Sequence, residues 1–183
     1  YTLTDENELN IKYKATTTED TLQNLTNHAY FNLDGISGNT LDQKLQINAE
    51  KFLELDDENI PTGNFIPMEN HAFDFRSSKN VVAGIDHCFV LKNNTEPAAI
   101  LESVKNGVTM KVYTDQPAVQ IYVGGKTSDE LQNKESVEYH TESGICFETQ
   151  VFPDAPNHED FPNAILRKGE TYQQNTTFQF IIS

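Results

Sequence analysis

Two residues in this chain carry side chains suited to moving protons, and each stands in a distinctive sequence context. His28 lies in the segment Asn24-Leu-Thr-Asn-His-Ala-Tyr-Phe-Asn-Leu33, where amide and aromatic residues surround it. Glu148 lies in the largely uncharged run from Gly144 to Asn157, and a carboxylate isolated in that way is a candidate acid or base. A protonated imidazole can donate a proton near neutral pH, and an ionised carboxylate can accept one. The pair could therefore perform general acid–base chemistry without a metal, a nucleotide or a covalent intermediate.

Alternation of apolar and polar residues predicts that β-strands position these two groups. The alternating segments run from Leu9 to Ala15, Leu45 to Ala49, Val108 to Val112, Val119 to Val123, Ile145 to Thr149 and Thr171 to Ile182. Turn signals separate them, among them Asp34-Gly35, Asn106-Gly107 and Pro61-Thr-Gly63. No convincing amphipathic helix is found, and the polar run from Thr127 to His140 is predicted to be a long loop. We predict an all-β fold, a large antiparallel β-sandwich, with residues 1–183 in a single domain.

The same alternation predicts which side chains share a face of the sheet. On the strand that begins at Ile145, Glu148 points away from the aliphatic side chains. On the strand that begins at Val119, Gln120 and Tyr122 do the same. A sheet face that presents carboxylate, amide, phenol and imidazole groups suits a polyhydroxylated ligand.

Charge and cysteine usage narrow the range of partners. Thirteen Lys and Arg against 28 Asp and Glu give a net charge of -15, which repels nucleic acids and anionic membrane surfaces. The two arginines, Arg76 and Arg167, make a phosphorylated sugar a poor candidate, so a neutral sugar fits better. Cys88 and Cys146 lack a paired-thiol spacing and are predicted to be buried thiols of a cytoplasmic protein, with a disulfide left open. No apolar run reaches the length that spans a membrane.

Four motifs in consistent order resemble those of the galactose mutarotases, or aldose 1-epimerases. They are Thr26-Asn-His-Ala-Tyr-Phe-Asn-Leu33, Gly84-Ile-Asp-His87, Gln116-Pro-Ala-Val-Gln-Ile-Tyr122 and Cys146-Phe-Glu-Thr-Gln150. The resemblance runs from about residue 8 to the C-terminus, and the ordered set is far more specific than any single motif. It implies the supersandwich fold of the mutarotases.

The resemblance also implies an activity and a role for each site residue. The expected reaction interconverts the α and β anomers of galactose or glucose by opening and reclosing the sugar ring. His28 is expected to act as the acid and Glu148 as the base, with no cofactor and no metal. Three further residues are expected to contact the sugar: Asp86, Gln120 and Asn27.

The resemblance has limits that shape the remaining expectations. Residues 1–183 lack the family's N-terminal portion, which normally contributes a second sugar-binding histidine, an arginine and several strands. We therefore expect the chain to be the C-terminal portion of an aldose 1-epimerase domain, with the missing portion as a partner, while a homodimer stays open. Ile85, Gly125 and residues 70–72 depart from the family pattern and could retune the sugar preference.

Two other functions stay open at the level of sequence. One is a non-catalytic carbohydrate-binding module built on the same sandwich. The other is a glycosidase in which Asp86 and Glu148 form the pair of carboxylates that glycoside hydrolysis needs. The presence of His28 within its motif favours the epimerase over both.

Overall fold

The computed structural model describes residues 1–92, 95–124, 136 and 138–182. Its strands are β1 (Thr2–Leu3), β2 (Glu8–Thr16), β3 (Thr21–Leu22), β4 (Tyr30–Phe31), β5 (Lys44–Ile47), β6 (Ala49–Leu55), β7 (Pro61–Pro67), β8 (Lys79–Asn80), β9 (Asp86–Leu91), β10 (Ala99–Glu102), β11 (Val108–Thr114), β12 (Ala118–Val123), β13 (Ile145–Gln150), β14 (Ile165–Leu166) and β15 (Thr171–Ile182). Two 3₁₀ turns span Thr40–Asp42 and Ala155–Asn157. The residues that the structure describes contain no α-helix. The predicted all-β class is confirmed. In this part of the chain, no helix has the length and apolarity needed to cross a bilayer.

The strands form two large antiparallel sheets and one small one. The larger sheet has seven strands in the order β1-β2-β15-β11-β10-β5-β8, and the second has six in the order β4-β13-β12-β9-β6-β7. A third sheet pairs β3 with β14. Antiparallel pairing of strands that are distant in the chain, such as β2 with β15, confirms the predicted sandwich. The limits of the domain, predicted as residues 1–183, stay a prediction.

The main core lies between the two large sheets, where the apolar side of each alternating strand faces inward. Phe147 and Val119 of the six-stranded sheet are buried there with Phe178, Met110 and Leu101 of the seven-stranded sheet. Burial of such side chains is the main favourable term in folding. The core therefore holds the inner face of β13 and leaves the outer face for polar residues.

A second apolar cluster covers one end of the outer face of the six-stranded sheet. Phe152 and Phe161, from the segment that follows β13, pack there against Cys88, Ala118 and Leu53. Their ring centroids lie 5.1 Å apart at an interplanar angle of 84°. Because the cluster occupies one end only, the remaining part of that face stays open.

Most of the predicted strands are confirmed, among them Thr171–Ile182 with its predicted bounds. The alternation from Leu45 to Ala49, however, is not one strand. β5 ends at Ile47 in the seven-stranded sheet, and β6 begins at Ala49 in the six-stranded sheet. Leu45, Ile47 and Ala49 all face the core, so the alternation continues across a corner between the sheets.

The predicted turn at Pro61-Thr-Gly63 is also wrong, since these residues begin β7. Gly63 has a φ of +91°, and a Cβ at this position would lie 2.8 Å from Nδ1 of His158. Glycine is therefore required by the backbone and by the close approach of the imidazole. The predicted loop from 127 to 140 lies largely outside the described residues. Gly125, where the chain departs from the family pattern, lies outside them as well.

Candidate active site

His28 and Glu148 meet on the open part of the six-stranded sheet, although 120 positions separate them in the chain. Nε2 of His28 lies 3.3 Å from Oε1 of Glu148. They share a cleft of about 480 Å³, a size typical of small-molecule sites. The cleft is lined by His28, Tyr30, Asp86, Gln120, Tyr122, Glu148, Gln150 and Pro153.

Strand register explains why these side chains face one another. Residues that pair directly across antiparallel strands point to the same side of the sheet. One row across the sheet consists of Tyr30, Cys146, Tyr122 and Asp86. In a second row on the same face, Glu148 of β13 pairs with Gln120 of β12. The pairing of four strands thus presents two carboxylates, an amide and two phenols on a single surface.

The segment that carries His28 has no regular structure between residues 23 and 29, so side-chain contacts hold it. The Asn24 amide donates to the Val151 carbonyl, and the Val151 N–H donates to the Asn24 side-chain oxygen, both at 2.9 Å. On the other side of His28, Tyr30 pairs with Cys146 of β13. A Cβ on Gly144 would lie 2.9 Å from Cβ of Tyr30, so glycine permits this approach.

The other asparagines of the motif bond to backbone or to neighbouring side chains. Asn32 donates to the carbonyls of Gly38 and Ser143 and accepts from Nε2 of Gln43 at 2.7 Å. The side-chain oxygen of Asn27 accepts from the N–H of Ala29 at 3.0 Å. Asn27 does not line the cleft, and its expected contact with a ligand stays a prediction.

Glu148 is held in a largely buried position by its own strand. The neighbouring Thr149 points into the sandwich, where its hydroxyl lies 2.6 Å from that of Thr176 and its carbonyl accepts from Nε2 of Gln174. The Glu148 side chain is 12 % exposed, against 53 % for His28. Burial raises the pKa of Glu148, and the negative charge of Asp86 adds to the shift, while the nearby His28 opposes it.

Asp86 and Gln120 line the cleft from β9 and β12, the two strands that follow β13 across this face of the sheet. Nε2 of Gln120 donates to Oδ1 of Asp86 at 2.7 Å, which orients both side chains. Among the described residues that line the cleft, none is Lys or Arg. Such a surface offers hydrogen bonds to hydroxyl groups and lacks the cations that bind a phosphate.

His28 and Glu148 of the cleft, together with the buried Cys146, are of the residue types that bind zinc. Ligand atoms of His28, Cys146 and Glu148 lie within 4.8 Å of one another. A metal bound here would have to displace the proton of the buried Cys146 thiol.

Comparison with known proteins identifies the family to which the chain belongs. The family model described as aldose 1-epimerase matches residues 1–179. The chain belongs to the aldose 1-epimerase family. The chain is 40 % identical over 194 residues to the galactose mutarotase of Mus musculus. It is 35 % identical over 198 residues to the aldose 1-epimerase of Escherichia coli K12. A solved structure of a GalM/aldose epimerase homologue from C. elegans superposes with a TM-score of 0.90 at 31 % identity.

The epimerase-family chain spans little more than half the length of these relatives. The alignments cover 100 % of the chain and 56 % of the mouse protein, and 99 % of the chain and 57 % of the E. coli protein. The C. elegans structure is matched over 58 % of its chain, with all of this chain covered.

The sequence predicted five site residues. Four of them lie together in the cleft: His28, Glu148, Asp86 and Gln120. Tyr30 and Pro153 also line the cleft, but they were not predicted from the sequence as site residues. The position of Tyr30, two residues after His28, could have indicated it, because alternate residues of an extended segment share a face. Pro153 lies beyond the end of β13, and no sequence signal pointed to it.

Proposed function

We propose that this chain carries the acid and the base of an aldose 1-epimerase that interconverts the anomers of galactose or glucose. The observation that carries the proposal is the 3.3 Å approach of His28 Nε2 to Glu148 Oε1 in a polar cleft. The C1 hydroxyl and the ring oxygen of an aldose are bonded to the same carbon. An acid and a base in contact can therefore reach both oxygens.

In the proposed reaction, ionised Glu148 accepts the proton of the C1 hydroxyl while protonated His28 donates a proton to the ring oxygen. The bond between C1 and the ring oxygen breaks, and an open-chain aldehyde forms. Rotation about the C1–C2 bond presents the other side of the carbonyl, and both proton transfers then run in reverse. The raised pKa of Glu148 suits this role, because a base whose pKa lies nearer the working pH transfers protons more effectively.

The lining of the cleft supports a neutral hexose as the substrate. Asp86 and Gln120, fixed by their mutual hydrogen bond, have the acceptors and donors that neighbouring hydroxyls require. The rings of Tyr30 and Tyr122 lie beside His28, with centroids 5.4 and 6.1 Å from that of the imidazole. Galactose and glucose are proposed because relatives carry the names galactose mutarotase and aldose 1-epimerase.

We further propose that a second protein segment completes the sugar site. In this structure the cleft residues come from one sheet and its flanking loops, and the His28 side chain is 53 % exposed. The relatives' additional length would suffice for such a segment.

The acid–base proposal is tested by following the optical rotation of freshly dissolved α-galactose with the protein at its natural length. We expect Glu148→Gln to lower kcat by roughly 10²- to 10⁴-fold, as is typical when a general base is removed. Glu102→Gln, at an exposed carboxylate on the seven-stranded sheet, is the matched control and should leave the rate unchanged. Equal rates for the wild type and Glu148→Gln would refute the role of Glu148.

The same measurement separates the proposal from a non-catalytic binding module. A module would bind galactose saturably in calorimetry while leaving the rate of equilibration at its uncatalysed value. The retention of both proton-transfer groups in contact favours the epimerase.

A further inference from the structure

One glutamine of the cleft has an amide that the protein itself does not use. Gln150 is the last residue of β13, lines the cleft and is 9 % exposed. In the part of the chain that the structure describes, no group forms a hydrogen bond with its side-chain amide. A buried amide without a hydrogen bond is unfavourable, because the water that would have bonded to it has been removed. The hydrogen bonds of Gln150 are therefore left for a molecule in the cleft.

The other buried glutamines among the described residues differ from Gln150 in this respect. Each of them donates from its amide to a neighbouring group: Gln43 to Asn32, Gln116 to Asp115 and Gln174 to the Thr149 carbonyl. Burial of a glutamine in this fold is thus otherwise accompanied by an internal hydrogen bond, as is usual for buried polar groups. The unpaired amide of Gln150 is the exception, and it is the one that faces the cleft.

Gln150 and His28 lie on opposite sides of Glu148. Gln150 follows Glu148 by two residues on β13, so both side chains point to the same face of the sheet. The His28 ring lies on the other side, over the row that precedes Glu148. Its Nδ1 is 3.5 Å from Sγ of Cys146, and its centroid is 6.1 Å from that of Tyr122. Along β13 the three groups therefore follow the order His28, Glu148, Gln150.

The same order of groups occurs around C1 of an aldose. C1 carries the hydroxyl that Glu148 deprotonates in the proposed reaction, and it is bonded to the ring oxygen on one side and to C2 on the other. When His28 faces the ring oxygen, the hydroxyl on C2 lies on the side of Gln150. An amide can both donate to and accept from a hydroxyl.

We propose that Gln150 is a substrate-binding residue whose side-chain amide forms a hydrogen bond with the C2 hydroxyl of the sugar. The orientation of the sugar rests on the function proposed above, whereas the unpaired amide does not. The consequence is discrimination between an aldose and its 2-deoxy analogue. The analogue leaves the buried amide without a partner, and such a mismatch lowers affinity.

The test compares galactose with 2-deoxygalactose by isothermal titration calorimetry, on the natural-length protein and on its Gln150→Met variant. Methionine keeps the length of the side chain and lacks the amide, so it preserves packing better than alanine would. We expect the wild type to bind galactose roughly three- to tenfold more tightly than 2-deoxygalactose, the ratio that one hydrogen bond supplies. The variant should bind the two sugars with nearly equal affinity.

Gln116→Met is the matched control. Gln116 is also buried, but its amide donates to Asp115 in the turn before β12. The control should leave the ratio of the two affinities unchanged and lower the midpoint of thermal unfolding, because it removes an internal hydrogen bond. Gln150→Met removes none, so without sugar its midpoint should equal that of the wild type.

Two results would overturn the proposal. An affinity ratio that is the same in the wild type and in Gln150→Met would show that the amide does not bind the C2 hydroxyl. A sugar-free Gln150→Met as destabilised as Gln116→Met would show that a protein group uses the amide instead. Polarimetry on the same proteins tests the epimerase separately. If the ratio changes as expected but no protein accelerates mutarotation, the contact of Gln150 stands and the epimerase proposal fails.

Discussion

At the level of single residues, burial of the Glu148 carboxylate lowers the stability of the fold. Its side chain is 12 % exposed, and burial is the main reason for its raised pKa. A carboxylate whose pKa is higher in the folded than in the unfolded state binds protons more tightly when folded. Its charge therefore destabilises the fold at a pH above the folded-state pKa. This destabilisation decreases as the pH falls through the folded-state pKa and is gone below the lower pKa of the unfolded state.

This sign leads to a prediction about thermal unfolding. Glu148→Gln removes the buried charge, so we expect its unfolding midpoint at pH 8 to exceed that of the wild type. The difference should shrink as the pH falls through the raised pKa, because the wild-type carboxylate then becomes neutral as well. Differential scanning fluorimetry across pH 4 to 8 measures it, with Glu102→Gln as the control at an exposed carboxylate. A variant less stable than wild type over the whole range would contradict the prediction.

At the level of elements, the site depends on how the segment before β4 is attached to β13. Asn24 copies the hydrogen-bonding pattern of a strand residue, since its amide both donates to and accepts from the backbone of Val151. The pairing of Tyr30 with Cys146 provides the second attachment. His28 lies between the two attachments, so both determine its distance from Glu148.

We expect Asn24→Ala to loosen this attachment and to lower kcat by roughly tenfold, because small displacements of an acid from its partner are costly. The loss of two exposed hydrogen bonds should reduce the free energy of unfolding by only about 1 kcal/mol. Mutarotation kinetics and chemical denaturation measure the two effects. Asn64→Ala is the control, since it removes an exposed asparagine that bonds to Glu54 on β6. A variant that loses stability but keeps its full rate would show that Asn24 does not position His28.

At the level of the whole molecule, the two faces of the six-stranded sheet have different environments. The inner face is sealed against the seven-stranded sheet, whereas the apolar cluster around Phe152 covers one end of the outer face. The remaining outer face forms the cleft, where His28 is half exposed. A sugar bound there would contact protein on one side and solvent on the other, which limits its affinity.

We therefore expect the protein at its natural length to bind galactose at least tenfold more tightly than residues 1–183 alone, because a further segment would contact the exposed side of the sugar. Isothermal titration calorimetry of both forms measures the difference. Circular dichroism of the shorter form, with a cooperative thermal transition, is the control for folding. Equal affinities would show that the cleft described above is the complete site.

The local pattern of the chain is sufficient to predict much of the fold. Alternation of apolar and polar residues identified β13 and β15, because the side chains of a strand alternate between buried and exposed faces. It also predicted that Glu148 and Gln120 point away from the core, as they do. The ordered motifs indicated the family, which the family model confirms.

Other features arise only when strands distant in the chain pair and the sheets pack. Alternation shows which face a side chain takes, but not which sheet the next strand joins, so the corner between Ile47 and Ala49 was missed. Neither does it show which residues align across strands. The contacts of His28 with Glu148 and Cys146 follow from the register of β4 against β13 and from the attachment at Asn24. These pairings join segments more than a hundred residues apart, so alternation within either segment gives the face of each side chain but not its partner on the other segment.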